Sequence, residues 1–579
     1  MQMGSKPEKG NLVMFDKLLN RVVLQILISR GSKNLKQLEE NVKIGKKLNE
    51  DTLFRVLQES KDTVYGKKYH FEDIKTIEDY KKAVPLSSFE DYADDIDRMK
   101  NDGEEGLLTN TPIVFYAMSS GSCGRPKDFP VTQEEIDCYA TYAATRLFAC
   151  TEAYHKKMHG KGFPRGRGLN TMVVKSTLTK QGVRKGWISC AAVESQKQFL
   201  KYFLTSPEEV LFPTEECDMK YLQIRYALMD RDMVFMVANF MVYLVELMNY
   251  AKSNWELLCR DIELGCIDPS IQLGPETRKA LEAKLRPDPK RAAELRAIAE
   301  QGFVNPLLPK IWPRMSWIGA VGSNNFSPYT TKMRVLAGEN IFIDFMQYGA
   351  SESLLGCTRQ SEEQAFVLIP DSCYYEFIPI DAPEGTTETL DVSQLEVGKE
   401  YEVIITNKAG LYRYRVNDVL RVMGYYHEMP MVQCAYRKSE MIRLTCEKTT
   451  EDMVNWMIES FCEDTGVSLS NFAIYGDTNA TPPRYVLLLE PEQPVPAEKI
   501  PEYEKLLESK LEYVNMIYAD YIESNTLAPL KLYISKPGSH AEYTRFRLKD
   551  GGLEHQTKPV RVLDTPEKRE FFLSRVENP

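Results

Sequence analysis

Three short segments of the sequence combine residue types that bind phosphorylated ligands. The first follows the apolar stretch 113–118 and consists of Ser119, Ser120, Gly121, Ser122, Cys123, Gly124, Arg125, Pro126 and Lys127. Glycines and small hydroxyl residues let backbone N–H groups approach a phosphate closely, and a lysine adds a compact positive charge. The spacing differs from that of a Walker loop. The pattern predicts a phosphate-binding loop, with a plain surface loop rich in serine and glycine as the alternative.

The second segment also follows an apolar stretch, at 342–348, and consists of Tyr348, Gly349, Ala350, Ser351 and Glu352. A tyrosine ring can lie against a purine, and a carboxylate offers the hard oxygen ligands that Mg²⁺ prefers. The alternative interpretation is a strand-to-helix connection in which Ser351 and Glu352 begin the helix.

The third segment spans 410–418, where tyrosine and arginine alternate up to Asp418. A carboxylate at the end of a strand binds ribose hydroxyls in many nucleotide sites. The alternative is an amphipathic strand with its arginines in solvent and Asp418 in a turn. Open α/β sheets bind ligands at the carboxyl ends of their strands, so we expect the three segments to line one crevice.

The elements that must position these segments form an α/β pattern. The first hundred residues predict mainly helices, after which apolar β-like stretches alternate with helical ones. The stretch 233–255 has a long apolar pattern that predicts a buried helix. The stretches 366–381 and 401–426 are rich in Val, Ile, Tyr and Phe and predict strands or a small β-barrel. Further strands are predicted at 472–475 and 485–489, on either side of a turn.

Length and charge limit the classes of function. A chain of 579 residues exceeds what one hydrophobic core usually organises, so more than one domain is expected. The net charge of -10 argues against a dedicated nucleic-acid-binding protein, which usually carries a basic face. The histidines form no H-E-x-x-H pair, and G-x-S-x-G is absent. Zinc-hydrolase and serine-hydrolase classes are therefore unsupported.

The twelve cysteines show no C-x-x-C spacing, which favours a reducing, cytoplasmic location. No stretch of about 18 apolar residues is present, so we expect neither a membrane span nor a membrane partner. The apolar stretch 18–29 is interrupted by polar residues and predicts an amphipathic helix that packs on the body of the protein.

The three segments together, in this order, resemble the motifs of the adenylate-forming superfamily, which includes acyl-CoA ligases and luciferases. The chain is more closely similar to the auxin-responsive Gretchen Hagen family of acyl acid amido synthetases. The residues that carry this resemblance are the segment 410–416 followed by Asp418 and Val419, together with Val84-Pro85-Leu86, Tyr375-Glu376-Phe377-Ile378-Pro379, Glu447-Lys448-Thr449-Thr450-Glu451 and Gln556-Thr557-Lys558-Pro559-Val560-Arg561.

This resemblance implies an ATP-dependent ligase. A small carboxylic acid would attack ATP to give an acyl-adenylate, and an amino acid amine would then displace AMP. The catalytic residues implied are Lys558, Lys127 and Glu352, with Glu352 as the Mg²⁺ ligand. The nucleotide-binding residues implied are Ser119, Ser120, Gly121, Ser122, Cys123, Gly124, Tyr348, Gly349, Ala350, Ser351, Asp418 and Arg437.

The resemblance also implies two domains: an N-terminal ATP- and acyl-acid-binding body over 1–435, and a smaller mobile α+β domain over 436–579. The hinge is expected near 436–447 and includes Glu440. We expect the acyl pocket between the phosphate-binding loop and the helices around 221–255. The oligomeric state is left open, with a monomer as one possibility.

Two departures from the family pattern bear on these expectations. Cys123 stands where the phosphate-binding loop usually has Thr or Ser, and Asn417 replaces the glycine before Asp418. Asn tolerates left-handed backbone better than most residues. An acyl-CoA ligase and a catalytically silent adenylate-binding protein remain as alternatives. The acyl-CoA ligases usually have a glycine shortly after the hinge, where this chain has Cys446.

Overall fold

The computed structural model describes residues 9–119, 127–194, 196–215, 217–323, 326–383, 385–438, 442, 444, 447, 449–523, 526–548 and 559–577. Its strands are β1 (Ile113–Met118), β2 (Asp128–Thr132), β3 (Gly168–Asn170), β4 (Ser176–Leu178), β5 (Arg184–Gly186), β6 (Phe235–Phe240), β7 (Trp317–Val321), β8 (Phe342–Asp344), β9 (Gln347–Gly349), β10 (Leu354–Cys357), β11 (Phe366–Leu368), β12 (Tyr374–Pro379), β13 (Glu400–Thr406), β14 (Tyr414–Tyr426), β15 (Met429–Arg437), β16 (Leu469–Asp477), β17 (Arg484–Pro491) and β18 (Ala528–Ile534).

The helices that precede residue 440 are α1 (Lys9–Lys43), α2 (Gly45–Ser60), α3 (Val64–Lys68), α4 (Ile77–Ala83), α5 (Ala93–Asp97), α6 (Gln133–Cys138), α7 (Arg146–His159), α8 (Ile188–Glu194), α9 (Lys197–Phe203), α10 (Glu208–Leu211), α11 (Met219–Met229), α12 (Met241–Ser253), α13 (Trp255–Leu264), α14 (Pro275–Glu282), α15 (Pro289–Glu300), α16 (Leu308–Ile311) and α17 (Ser327–Ala337). The later helices are α18 (Glu451–Thr465), α19 (Ile500–Val514), α20 (Met516–Glu523), α21 (Ser539–Leu548) and α22 (Pro566–Leu573).

The body contains three sheets that meet around the predicted crevice. A four-stranded sheet in the order β2-β1-β5-β4 carries the ends of the phosphate-binding loop. A second four-stranded sheet, β3-β6-β7-β8, is parallel throughout. The third sheet has seven strands in the order β12-β13-β14-β15-β11-β10-β9. The β-rich stretch 366–426, which predicted strands or a small barrel, lies in this third sheet with β12 and β9 at its edges.

Helix α1 packs along the body with one face, as the predicted amphipathic pattern requires. The buried positions recur every three or four residues at Asn20, Val23, Leu24, Leu27 and Ile28. The buried Asn20 amide donates hydrogen bonds to two backbone carbonyl oxygens of the body, at 2.9 and 3.0 Å. Among the described residues, no helix has the length and apolar character that a bilayer crossing requires.

The predicted helix over 233–255 is wrong in its first part. Residues Phe235–Phe240 form β6, an inner strand of the parallel sheet, and only then does α12 begin at Met241. A strand that is buried on both faces is apolar at every position, so its pattern resembles that of a buried helix.

The C-terminal part forms a separate three-stranded sheet, β16-β17-β18, with helices on both faces. Helices α18, α19 and α20 cover one face around the buried side chains of Phe461, Leu487 and Leu507. On the other face, α21 and α22 pack with Tyr543 and Phe572 against Val486 and Leu488. Strands β16 and β17 confirm the two strands predicted at 472–475 and 485–489. The division of the chain into domains at residue 436 stays a prediction.

Candidate active site

The paired strands β1 and β2 place the two ends of the predicted phosphate-binding loop next to each other. The Ser119 N–H donates to the Lys127 carbonyl oxygen at 2.8 Å, and the Lys127 N–H donates to Ser119 Oγ at 3.0 Å. These paired bonds close the base of the loop. Ser120, Gly121, Ser122, Cys123 and Gly124 lie outside the described residues.

The Lys127 side chain extends from the base of the loop toward residues 89–90 of the N-terminal helical region. Its ammonium donates to Glu90 Oε1 at 3.1 Å and lies 4.8 Å from the centroid of the Phe89 ring. The pKa of Glu90 is lowered by a backbone hydrogen bond and by the hydrogen bond from Lys127. Glu90 is a neighbour that sequence reasoning missed, because nothing in its local pattern distinguishes it from a surface carboxylate. Its carboxylate holds the Lys127 ammonium.

The second motif sits at the seam between two sheets. The predicted single strand 342–348 is divided into β8 of the parallel sheet and β9 of the seven-stranded sheet. Met346 between them has a φ of 65°, a left-handed conformation that redirects the backbone. The turn that carries Ala350 and Ser351 follows β9, so the motif does not begin a helix.

Two hydrogen bonds fix this turn, one to the first sheet and one from the helical segment that contains Tyr139. Ser351 Oγ donates to the Met118 carbonyl oxygen at 3.1 Å, at the end of β1. Tyr139 OH donates to the Ala350 carbonyl oxygen at 2.6 Å, and a Cβ added to Gly349 would lie 3.1 Å from that same hydroxyl oxygen. Tyr139 was missed by sequence reasoning, since its helical segment shows only an apolar pattern. The second motif is therefore attached directly to the strand that precedes the phosphate-binding loop.

Asp418 lies opposite Arg437 in the register of β14 and β15, and both of its oxygens are held. Arg437 Nε donates to Asp418 Oδ1 at 2.7 Å, and Tyr348 OH donates to Asp418 Oδ2 at 2.8 Å. Burial and the adjacent Asp418 carboxylate raise the pKa of Tyr348 well above its ordinary value, so the hydroxyl remains a donor. A carboxylate oxygen accepts more than one hydrogen bond, so the Asp418 oxygens can still receive hydroxyl donors.

Glu352 is the second carboxylate of the crevice and is 9% exposed. Burial raises its pKa, while the positive charge of Arg437 and a hydrogen bond with Tyr414 oppose that rise. Its backbone is fixed by Asn407, whose Nδ2 donates to the Glu352 carbonyl oxygen at 2.8 Å. Glu352, Asp418 and Arg437 thus form one electrostatically coupled group.

The alternative interpretation placed the arginines of the third motif in solvent, and the structure contradicts this for Arg413. Arg413 is buried and forms an ion pair with the buried Glu376 at 3.1 Å. Arg415 is partly exposed and pairs with Glu402 at 2.7 Å, and Lys438 uses the same Glu402 oxygen. Asn417 has a φ of 67°, the left-handed conformation that the replaced glycine of the family pattern would favour. These residues shape the strand that presents Asp418.

The structure therefore brings together Ser119, Lys127, the segment from Tyr348 to Glu352, Asp418 and Arg437 around one crevice. Lys558 and Glu440, with the five loop residues 120–124, lie outside the described residues. Among those that are described, no cluster of three or more His, Cys, Asp or Glu side chains forms a ready-made metal centre.

Three family models match consecutive parts of the chain. They are the GH3 family N-terminal domain over residues 34–341, the GH3 family central domain over 366–437 and the GH3 family C-terminal domain over 452–567. The chain belongs to the GH3 family. The first of these models alone spans more than half of the sequence.

GH3 proteins that are similar to this chain match it over almost their whole length. The Arabidopsis thaliana protein named probable indole-3-acetic acid-amido synthetase GH3.1 is 26% identical over 567 residues, with 94% of each chain covered. The solved structure of GH3.15 acyl acid amido synthetase has a TM-score of 0.81 at 22% identity, covering 94% of this chain and 96% of that one. A 2-hydroxyisobutyryl-CoA ligase in its postadenylation state has a TM-score of 0.54 at 11% identity, covering 90% of each chain. The GH3 chain described here thus has the fold of adenylate-forming ligases.

Proposed function

We infer that this GH3 chain is an acyl acid amido synthetase, which activates a small carboxylic acid with ATP and joins it to an amino acid. The observation that carries this proposal is the pair of buried carboxylates, Asp418 and Glu352, held beside Tyr348 and Arg437 at the base of the phosphate-binding loop. Membership of the GH3 family and the amido synthetase names of similar proteins support it.

In the first step, a carboxylate oxygen of the acid attacks the α-phosphorus of ATP, and the bond to the β-phosphate oxygen breaks to release pyrophosphate. Asp418 would accept the ribose hydroxyls, and Tyr348 would lie against the adenine. The loop residues 119–124 and Lys127 would hold the phosphates. Negative charge builds on the phosphates as pyrophosphate leaves, so nearby positive charge stabilises the transition state. By resemblance, Lys558 would supply such a charge beside the reacting groups.

In the second step, the amine nitrogen of an amino acid attacks the acyl carbon, and the bond from that carbon to the phosphate oxygen breaks. AMP leaves with the electron pair, and the amine proton passes to water or a nearby base. Small carboxylic acids and amino acids are therefore the expected partners. We propose that the C-terminal unit, from residue 436 onward, changes its orientation between the two steps through a hinge near 436–447 that includes Glu440.

The residues present fit a magnesium ion that arrives with ATP. Mg²⁺ is usually held by one or two carboxylates together with substrate phosphates, and Glu352 offers a buried carboxylate beside the loop. When bound, the ion would neutralise charge on the phosphates. Burial raises the pKa of Glu352, so a cation bound beside it would stabilise its charged form.

The test is carboxylate-dependent exchange of pyrophosphate into ATP, over a panel of aryl, indolyl and aliphatic acids. Each active acid is then offered amino acids or coenzyme A, and the products are identified by mass. Exchange followed by amide formation is expected. Exchange that yields only a thioester would make the chain an acyl-CoA ligase, and ATP binding without exchange for any acid would make it a silent adenylate-binding protein.

Replacing Asp418 by Asn should weaken ATP binding selectively. The amide has the same shape, but it loses the charge that pairs with Arg437 and turns one acceptor into a donor. Hydrogen bonds to charged groups contribute about 1.5–3 kcal/mol, so we expect KM for ATP to rise about tenfold or more. Steady-state exchange at varied ATP measures this, with Asp477→Asn as the control, since Asp477 is partly exposed at the end of β16. An unchanged KM for ATP would remove Asp418 from the nucleotide site.

A further inference from the structure

Helix α17 of the body contacts the C-terminal unit through the side chains of Ser327, Tyr329 and Lys332. Ser327 Oγ donates to Glu459 Oε1 at 3.1 Å. Lys332 Nζ donates to Glu492 Oε1 at 2.7 Å and to the Leu469 carbonyl oxygen at 2.9 Å. The side chains of Lys332 and Glu492 are both more than one third exposed, so salt screens this pair and its contribution is small.

A buried contact lies between these two exposed ones. Arg561 is 6% exposed, and its Nη2 donates to Tyr329 OH on α17 at 3.2 Å. Its Nη1 donates to the Phe472 carbonyl oxygen at 3.1 Å, and the guanidinium lies 4.0 Å from the centroid of the Phe472 ring. One guanidinium therefore joins the body helix to β16 of the C-terminal sheet.

The Arg561 segment is itself a part of the C-terminal sheet. The Ile474 N–H donates to the Arg561 carbonyl oxygen at 2.7 Å, and the Leu563 N–H donates to the Ile474 carbonyl oxygen at 2.9 Å. Lys558 lies outside the described residues but precedes Arg561 by three positions in the sequence.

Helix α17 is in turn fixed to the ends of two strands of the parallel sheet. Thr330 Oγ1 donates to the Gly322 carbonyl oxygen at 2.7 Å, just after β7. The Phe326 ring stacks on Phe240 at the end of β6, with 4.7 Å between the ring centroids. The position of Tyr329 is therefore set by the parallel sheet of the body.

The third nitrogen of the Arg561 guanidinium differs from the other two. Within the described residues, the buried Arg561 Nε has no hydrogen-bond partner. A buried donor without a partner costs free energy, which offsets part of the gain from the bonds that Nη1 makes to Asn471 and Phe472 and that Nη2 makes to Tyr329.

We propose that Arg561 is a positioning residue for acyl-adenylate formation. Its hydrogen bond to Tyr329 holds the C-terminal sheet on helix α17 of the body during the first step, and this bond opens before the amine attacks. This role rests on the proposed function. It adds the hydrogen bond that links the orientation of the C-terminal unit to one half-reaction.

The test is Tyr329→Phe, which removes a single hydroxyl and keeps the ring. Exchange of pyrophosphate into ATP measures the first step, and amide formation from a chemically prepared acyl-adenylate measures the second. A hydrogen bond to a charged group changes an equilibrium about tenfold or more, so exchange should fall by about that factor while amide formation stays at or above its original rate. The control is Tyr425→Phe. The Tyr425 hydroxyl donates within the body, to the carbonyl oxygens of Val392 and Leu395. This variant should keep the original rates of pyrophosphate exchange and of amide formation.

Arg561→Lys and the double variant with Tyr329→Phe complete a mutant cycle. Lysine keeps the charge but cannot reproduce the planar fork that reaches two acceptors. If the two residues act through one bond, the double variant should lose no more exchange than the worse single variant. Additive losses, an equal fall in both half-reactions, or no change in either would overturn the proposal. A wild-type chain without exchange would instead overturn the proposed function, so the two failures are distinct.

Discussion

Glu352→Gln should lower acid-dependent pyrophosphate exchange by about a hundredfold or more, without weakening the fold. The substitution keeps the size of the side chain and removes its charge, so a cation bound with ATP would lose its protein carboxylate. Removal of one group that stabilises transition-state charge typically costs about 10²–10³ in rate. The loss should appear in kcat because charge on the phosphates builds up as the reaction proceeds.

The stability of this variant follows from the pKa of Glu352, which burial raises. The folded chain therefore binds this proton more tightly than the unfolded chain does. Between the unfolded and the raised folded pKa, the free energy of unfolding falls as pH rises, and at higher pH the destabilisation is fully present. Gln cannot ionise, so Glu352→Gln should unfold at the same or a higher temperature at neutral pH.

The matched control is Glu508→Gln in the C-terminal unit. Burial raises the pKa of Glu508 to about 7, and Glu508 lies between Tyr518 and the Leu530 backbone. The Glu508→Gln variant should exchange pyrophosphate into ATP at the original rate. If Glu352→Gln retained full exchange, or if it lost activity only because it unfolded, the role of Glu352 proposed here would be wrong.

Arg413→Met should produce the largest loss of stability, although Arg413 belongs to the third sequence motif. Its guanidinium forms an ion pair with the buried Glu376 and donates at 2.9 Å to the carbonyl oxygens of Lys81 and Val84. Removing one partner of a buried pair leaves an uncompensated charge and typically costs about 3–5 kcal/mol. Urea unfolding should show that decrease in the free energy of unfolding.

Two further variants separate this explanation from a general sensitivity of β14. Arg421→Met removes an exposed ion pair with Glu400 on the same strand, and it should cost about 1 kcal/mol or less. The double variant Arg413→Met with Glu376→Met should recover part of the loss, because apolar replacements remove the stranded charge. A loss of under about 1 kcal/mol for Arg413→Met would show that the pair is not needed for the fold.

Asp418 was expected at the end of a strand but lies within β14. The meeting of the first two motifs was predictable because each follows an apolar strand and strand ends gather at one crevice. The residues that hold the motifs in place were not. Glu90 and Tyr139 contact Lys127 and Ala350 from segments distant in the sequence, and no local pattern marks them. The alternation of Tyr and Arg on β14 predicted a strand, but the burial of Arg413 depends on Glu376 and on carbonyl oxygens of the N-terminal helices. Periodicity likewise could not separate the buried strand β6 from the helix that follows it.

The short connection between β8 and β9 restricts the insertions and deletions that this part of the gene can tolerate. Asp344 ends a strand of one sheet and Gln347 begins a strand of another, with two residues between them. Deleting or inserting one codon there would shift β9 by one residue and turn Tyr348 to the opposite face, away from Asp418. Homologues should therefore vary in side chains across 345–346 but keep the length of this connection, whereas the exposed turn between β16 and β17 is free to lengthen.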